Sequence, residues 1–374
     1  MITNQKKIEK KYNKYNKDHF FMSLAFLHAN RIIGNTGTNP AVGCIIVKNG
    51  CVVSSGNTSY KGRPHAEANA LKKGNKKKYT SSSVYVSLEP CSHYGKTAPC
   101  SKKIVKISPK NVVYPILDYD FRSRNKSKKI FQKNKIKSQI LKNYTYSKVF
   151  YKYYKNFKEK KVPFVSCKLA ISKDFFLKSK KKTWITNEMS RGRAHILRAK
   201  HDSILTSIKT VNDDNPTLNC RIKDLEKYSP SRFILDKNLE ISMNSKIVKS
   251  AHKYKTYLFY NRSSKNKMNK LKDKKIKLIY SSLNKDRFFN LREILYKMQK
   301  IGCTRIFLEA GQKLTYSFIK NNLINDLHIF RSQNRLGSKG IKKVKFIKKI
   351  NLFSKKNLNN VYLDGDKFYT LKIK

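Results

Sequence analysis

Acidic residues are scarce in this chain. Asp and Glu number 23 against 84 Lys and Arg, which leaves a formal net charge of +61 over 374 residues. Such a charge suits a binder of nucleic acid or another polyanion. A single basic stripe or tail is lacking, however, because Lys, Asn, Ile, Tyr and Phe are over-used everywhere. The charge therefore reads as compositional drift, and a nucleic-acid partner is not expected. No apolar run approaches transmembrane length, so no membrane association is expected. Met1 to Lys17 has no apolar core and does not read as a secretory signal. The seven cysteines are an odd number, widely spread, which suits a reducing compartment better than a disulfide framework. A cytoplasmic protein is the expectation. No G-x-G-x-x-G occurs, which argues against a standard Rossmann nucleotide site.

What remains supports folded domains. Hydrophobic residues make up 39% and aromatics 11%, enough to build cores and to argue against disorder. The length predicts two domains.

In chain order, Asp18 to Gly34 carries Phe21, Leu24, Ala25, Leu27 and His28 at helical spacing. Pro40 and Gly43 mark a turn into a strand at Cys44–Val47. Asn49-Gly50 predicts a hairpin returning through Cys51–Ser54, with both cysteines read as packed thiols. His65 to Lys73 predicts a helix, Ser83 to Leu88 a strand, Cys100 to Ile107 a helix and Asn111 to Leu117 a strand. This alternation predicts an α/β sheet with helices packed on it.

The chemistry concentrates in this first half. His65, Cys91 and Cys100 can make a three-ligand zinc site with a fourth position open for water. Glu67, two residues after the histidine, can move protons without binding the metal. The order is the H-x-E…P-C pattern of zinc-dependent nucleobase deaminases, in which zinc lowers the pKa of water and the glutamate shuttles its protons. The usual P-C-x-x-C spacing is absent, since the loop from Cys91 to Cys100 is longer. His93 is a competing ligand, or else a substrate or supporting contact. Asn39 is either a substrate contact or a simple turn residue.

Lys142 to Lys161 predicts a basic helix with Val149, Tyr153 and Phe157 as its apolar stripe. A domain boundary is expected near residue 160. Beyond it, strands are predicted at Phe164–Ala170, Asp202–Ser207, Arg232–Leu235, Tyr257–Tyr260, Ile276–Tyr280, Arg305–Leu308 and Leu327–Phe330. Helices are predicted through Ala194–Arg198, at Asn290–Lys300 and at Lys313–Asn321. Thr210 to Pro216 reads as a loop. Gly311 opens a helix after a strand, where phosphate can approach backbone N–H groups.

The segments T-N-P-A-V-G-C-I-I-V, H-A-E and V-S-L-E-P-C-S-H-Y-G-K-T-A-P-C resemble the deaminase half of the bifunctional riboflavin biosynthesis deaminase/reductase family. K-L-A-I-S-K-D, T-W-I-T, D-S-I-L-T-S-I-K-T-V-N-D-D-N-P-T-L and F-L-E-A-G resemble its reductase half. The resemblance implies a cytidine-deaminase-like zinc domain over residues 1–160 and a dihydrofolate-reductase-like domain over 161–374. It implies one zinc per chain on His65, Cys91 and Cys100, with Glu67 as the catalytic proton shuttle. It implies NADPH held by Ala170, Trp184, Thr210, Asp214 and the run Gly311, Gln312, Lys313, Leu314, Thr315, Tyr316 and Ser317. Asn39, Lys182, Arg198, Leu218, Arg221 and Glu309 are implied to hold the phosphoribosylated pyrimidine. Hydrolytic deamination of that pyrimidine, then reduction of its ribosyl group to ribityl, is the implied activity, and a homo-oligomer is the implied assembly. Trp184 has a plain alternative as a core residue.

The chain departs from the family's pattern at Asp118 to Leu141, where glycines are missing, and at Phe175, Lys182, Lys237 and Gln312. The lysine substitutions leave one alternative, an active deaminase whose reductase half is a scaffold, and the charge alone leaves another, a deaminase of nucleic acid.

Overall fold

The computed structural model describes residues 17–181, 184–344 and 357–373. Two compact units divide between Lys161 and Val162.

The first unit is built on a five-stranded sheet. Helix α1 covers 17–30. It is followed by β1 (Gly43–Lys48), β2 (Cys51–Asn57), α2 (Ala66–Leu71), α3 (Lys76–Tyr79), β3 (Ser83–Val86), α4 (Cys100–Val105), β4 (Asn111–Tyr114), α5 (Ser127–Lys133) and β5 (Lys137–Ile140). The strand order is β2-β1-β3-β4-β5. The first two pairings are antiparallel, and β3-β4 and β4-β5 are parallel. The β1–β2 hairpin turns through Asn49 and Gly50, both at positive φ (52° and 78°), as its Asn-Gly pair predicts.

Two glycines let the helices seat directly on this sheet. A Cβ at Gly43 would lie 1.8 Å from the Ala25 carbonyl oxygen of α1. One at Gly56 would lie 2.5 Å from the Ala66 carbonyl oxygen of α2. The second contact fixes the helix that follows His65 and carries Glu67.

Several sequence expectations change here. Helix α1 turns Phe21, Met22, Ala25, Phe26 and Ala29 inward, and Leu27 is 59% exposed. Cys44 is a packed thiol, whereas Cys51 is exposed at the strand end. The single helix expected over Lys142–Lys161 is broken into α6 (Tyr146–Phe150), α7 (Lys152–Lys155) and a π turn. Tyr151 leaves helical geometry between the two helices (φ −89°, ψ 9°). Tyr153 and Phe157 are buried, while Val149 lies on the far side and is exposed. Strand β5 and helix α5 lie in the segment whose composition suggested only a lysine-rich departure.

The second unit holds β6 (Phe164–Ile171), β7 (Phe176–Ser179), α8 (Glu188–Ala199), β8 (Ser203–Ser207), α9 (Ile208–Asp214), β9 (Ser231–Leu235), α10 (Lys246–Lys249), β10 (Thr256–Tyr260), α11 (Lys265–Asp273), β11 (Lys277–Tyr280), α12 (Leu291–Lys300), β12 (Arg305–Leu308), α13 (Gln312–Lys320), β13 (Asp326–Arg331), β14 (Gly340–Lys343) and β15 (Lys367–Lys372). Its main sheet runs β11-β10-β9-β8-β12-β6-β13-β15. All pairings are parallel except that of β15 with β13. From β8 the chain winds outward to the β11 edge. It then returns to insert β12 between β8 and β6, which makes the sheet's centre a topological switch point. A side hairpin pairs β7 with β14. The near-continuous apolar β12, buried on both faces, and the cluster of Val165, Leu205, Phe233 and Ile306 form the core.

Of the loop expected at Thr210–Pro216, the stretch Thr210 to Asp214 is instead part of helix α9, and only Asn215 and Pro216 lie beyond it. The Ser207 hydroxyl accepts from the Thr210 N–H, which caps that helix and overrides the turn-forming Asn-Asp-Asp composition.

Candidate active sites

Each donor of the first site sits at an element end. His65 is the N-cap residue of α2, Cys91 lies in the loop after β3, and Cys100 begins α4 after Pro99. His65 Nδ1 lies 3.6 Å from Cys91 Sγ and 3.5 Å from Cys100 Sγ. The Cys100 N–H, free at the start of its helix, donates to Cys91 Sγ at 3.3 Å. All three donor atoms lie within 4.8 Å of one another, the one such cluster among the described residues. A tetrahedral zinc with these ligands has donor–donor edges of about 3.5–3.8 Å. One imidazole and two thiols at these separations fit that ion.

The electrostatics suit a cation. The hydrogen bond with Cys100, then that with His65, pulls the Cys91 thiol well below the ordinary thiol range against the effect of burial. Glu67 is 4% exposed in the first turn of α2. Burial, followed by the Cys91 charge, raises its carboxyl. The carboxylate is thus a proton acceptor of raised basicity beside the donor cluster.

His93 is not part of the cluster, since its Nδ1 lies 2.7 Å from Ser123 Oγ. The Asn39 amide donates to the Gly62 carbonyl at 3.0 Å, tying the turn before β1 to the loop that precedes His65.

Sequence reading missed the support beneath this site. Glu89 is 2% exposed and accepts four hydrogen bonds, from the Asp118, Asn125 and Ser127 N–H groups and the Ser127 hydroxyl, at 2.8–3.2 Å. The segment 118–127 is thereby fixed under the Cys91 loop, which it meets again where the Ser92 N–H donates to Ser123 Oγ at 3.1 Å. Burial pushes the Asp118 carboxyl up to about 7. Asp120 moves the other way, held low by Arg122, whose effect outweighs burial, and by Lys158. The one available signal was an acidic residue directly before Pro90-Cys91.

In the second unit, the ends of adjacent parallel strands bring the expected residues together. Ala170 is the penultimate residue of β6, Thr210 and Asp214 follow β8, and Glu309 and Gly311 follow β12. Ligands of open α/β sheets bind at such strand ends.

Glu309 and Arg198 pair with each other. Arg198 Nε donates to Glu309 Oε1 at 2.5 Å and one Nη to Oε2 at 2.9 Å. The other Nη donates to the Asn219 carbonyl at 3.0 Å. Burial would raise the Glu309 carboxyl, but Arg198 overrides it and holds the carboxyl well below the usual range. Arg198 therefore fixes Glu309 and the Asn219 loop through three of its five donors. Lys168 on β6, absent from the sequence-based site, is half-buried near them; desolvation lowers its ammonium pKa and Glu309 opposes the shift.

Leu218 is 3% exposed and packs in the core at φ 53°. Its side chain is turned into the core cluster. The loop that carries it is anchored by fully buried Arg232, which donates to the Thr217 carbonyl at 3.1 Å. Arg221 is exposed and donates to Thr217 Oγ1 at 2.9 Å. Asp214 accepts from Lys178 at 2.6 Å. In α13 the helix divides the expected cofactor run. Thr315 is fully buried, its hydroxyl donating to the Ala310 carbonyl at 3.3 Å, and Leu314 packs on the core. Gly311, Lys313 and Tyr316 are exposed, Gln312 and Ser317 are half-buried, and a Cβ at Gly311 would meet nothing within 4 Å. The open face is thus the helix N-terminus. Trp184 is no core residue. It is 60% exposed, stacks under the Arg191 guanidinium at 5.3 Å, and lines a cleft of about 630 Å³ with Asn187, Arg335 and Asp366. Thr210, Asp214 and Gly311 do not line that cleft. Lys182 lies outside the described residues.

Residues 163–350 match the model of the RibD C-terminal domain, and residues 15–116 match the cytidine and deoxycytidylate deaminase zinc-binding region. The chain is 33% identical over 340 residues to the riboflavin biosynthesis protein RibD of Buchnera aphidicola, covering 86% of this chain and 88% of that protein. It is 29% identical to the Aquifex aeolicus protein of the same name, with the same coverage. Among solved structures, Acinetobacter baumannii RibD superposes with a TM-score of 0.81 at 24% identity, covering 96% of this chain and 99% of that one. The Thermotoga maritima diaminohydroxyphosphoribosylaminopyrimidine deaminase/5-amino-6-(5-phosphoribosylamino)uracil reductase superposes with a TM-score of 0.80, also at 24% identity and with the same coverage. These two likenesses establish the fold.

Proposed function

The chain belongs to the RibD family of riboflavin biosynthesis proteins, and on that premise we propose which of its residues carry each activity. It is a bifunctional deaminase and reductase with a cytidine-deaminase-like domain ahead of a reductase domain. The deaminase is assigned to residues 1–160 and the reductase to 161–374.

In the deaminase half, His65, Cys91 and Cys100 hold one zinc ion. The observation that carries this reading is the convergence of their three donor atoms within 4.8 Å beside a buried glutamate. Zinc bound there supplies Lewis acidity that eases deprotonation of water near neutral pH. Glu67 accepts the water proton and delivers protons to the ring nitrogen and to the amine that departs as ammonia. Its raised basicity suits both transfers. The substrate is 2,5-diamino-6-(5-phosphoribosylamino)pyrimidin-4-one, the class of compound that the relatives' names describe.

In the reductase half, the residues at the C-terminal ends of β6, β8 and β12 would hold NADPH. The α13 N-terminus offers backbone N–H groups to its phosphates. Bound NADPH supplies the hydride that converts the ribosyl group to ribityl. Glu309, kept ionised by Arg198, and Lys168 face the sugar, while the Asn219 loop and Arg221 hold its phosphate end. The protein acts as a homo-oligomer in the cytoplasm. No described helix is long and apolar enough to cross a membrane.

Mass spectrometry of products from the purified protein tests this reading. With the diaminopyrimidine substrate alone, the expected product has lost one amine. With NADPH added, it also gains two hydrogens. Deamination without reduction would assign the second unit a scaffold role. No reaction on zinc-loaded protein would reject the substrate.

A further inference from the structure

The loop between the two cysteines carries a cationic rim that zinc binding does not explain. At its tip, a Cβ on Gly95 would lie 3.5 Å from an Arg63 terminal nitrogen and 4.0 Å from His93 Nε2. The other Arg63 terminal nitrogen donates to Thr97 Oγ1 at 3.0 Å. His93 is anchored through Nδ1 to Ser123 at 2.7 Å, which turns its Nε2 toward the same tip. Arg122 is the chain neighbour of that serine. Its Nε and one Nη donate to Asp120 at 2.9 and 2.6 Å, and Lys158 reaches the same carboxylate at 2.9 Å. Two cations on one carboxylate leave a positive remainder.

A chain with 84 Lys and Arg has cations on every face. These differ in being pre-positioned: Arg63 by Thr97 in the loop between the zinc ligands, Arg122 by Asp120. A planar guanidinium held in place loses little freedom on gripping a phosphate and can do so through two parallel hydrogen bonds. Arg63 also stands two residues before His65, at the entrance to the donor cluster.

We propose that Arg63 is a specificity residue of the deaminase half, which takes the phosphate monoester of the substrate at the Gly95 loop while Arg122 and Lys158 maintain the positive field behind His93. This inference rests on the deaminase reading above.

The test compares deamination of the phosphorylated substrate and of its dephosphorylated nucleoside by the full-length chain, by Arg63→Ala, by Arg63→Lys and by Lys110→Ala. The last removes an equal charge at an exposed position outside the site. Zinc content is measured for each protein. Loss of a charge-assisted contact should raise KM for the phosphorylated substrate about tenfold to a hundredfold in Arg63→Ala, with partial recovery in Arg63→Lys. Zinc content, kcat and the nucleoside's kcat/KM should be unchanged, and Lys110→Ala should match the parent. Equal losses on both substrates, no loss on either, or the same effect from Lys110→Ala would overturn the proposal. If the parent protein deaminates neither compound, the deaminase reading fails by itself. Calorimetric titration of ribose 5-phosphate into the parent and Arg63→Ala proteins then decides the anion site: weaker binding by the variant supports it, and equal binding refutes it.

Discussion

Arg198 and Glu309, 111 residues apart in the chain, meet as a two-point ion pair with side chains only 14% and 12% exposed. The pair joins α8 to the end of β12, at the centre of the parallel sheet. Removing one partner of such a pair leaves an uncompensated buried charge, which costs about 3–5 kcal/mol. Arg198→Ala should therefore lower the thermal midpoint of the second unit by roughly 10 °C and abolish reduction. Scanning calorimetry checks the first effect. An unchanged midpoint would mean that Glu309 is neutral in the fold.

The catalytic assignment of Glu67 separates chemistry from metal binding. Glu67→Gln should keep its zinc and lower the deamination kcat by about 10²–10⁴, the range for loss of a positioned proton carrier. Metal analysis alongside steady-state rates checks this. Loss of zinc in this variant would make Glu67 a ligand.

Cys100→Ser should lose zinc and deamination together while the reductase half still reduces the separately supplied deaminated intermediate. Chelation with dipicolinate should reproduce that pattern in the parent protein. The readouts are bound zinc and NADPH oxidation at 340 nm, a wavelength set by the nicotinamide rather than by this protein. Retained zinc here, with loss in His93→Ala, would transfer the ligand role to His93.

Glu89→Ala strips the acceptor from four donors beneath the zinc loop. With roughly 1–3 kcal/mol for each buried group left unsatisfied, and partial rescue by entering water, the deaminase unit should lose about 3 kcal/mol. Hydrogen exchange should accelerate at Asp118, Asn125 and Ser127, and exchange confined to the chain ends would contradict the role.

Acid should weaken the second unit before its carboxylates protonate. His328 is buried on β13 with Nδ1 3.0 Å from Thr370 Oγ1, and burial drives its pKa down to about 4. The unfolded value is near ~6.5. The depressed folded value means that the unfolded chain binds the proton first. The neutral histidine's contribution is therefore fully present above ~pH 6.5 and is lost as pH falls toward 4. His195, also lowered to about 4 by burial and then by Arg198, acts in the same direction. Urea midpoints should fall between pH 7 and pH 4.5. His328→Gln should flatten that slope by about 1–3 kcal/mol.

Much of this was legible in the sequence because local rules carried it. Asn49-Gly50 specified a hairpin through positive φ at both positions. Thr186 and Asn187 both have the side-chain oxygen that a helix cap needs, and it is Asn187 that caps α8, accepting from the Ser190 N–H. The apolar runs at Arg305–Leu308 and Tyr257–Tyr260 became buried parallel strands. The zinc donors were legible because His65, Glu67, Cys91 and Cys100 are chemically distinctive and ordered along the chain.

Tertiary structure alone decided the rest. Whether Thr315 faces a cofactor or the core depends on how α13 is rotated against the sheet, and packing turned it inward. Whether Arg198 grips a ligand or Glu309 depends on β12 returning between β8 and β6, a topology that no local pattern encodes. Glu89, Lys168 and Arg232 look ordinary in one dimension. They acquire their roles only because burial removes water and leaves the folded chain to supply their partners.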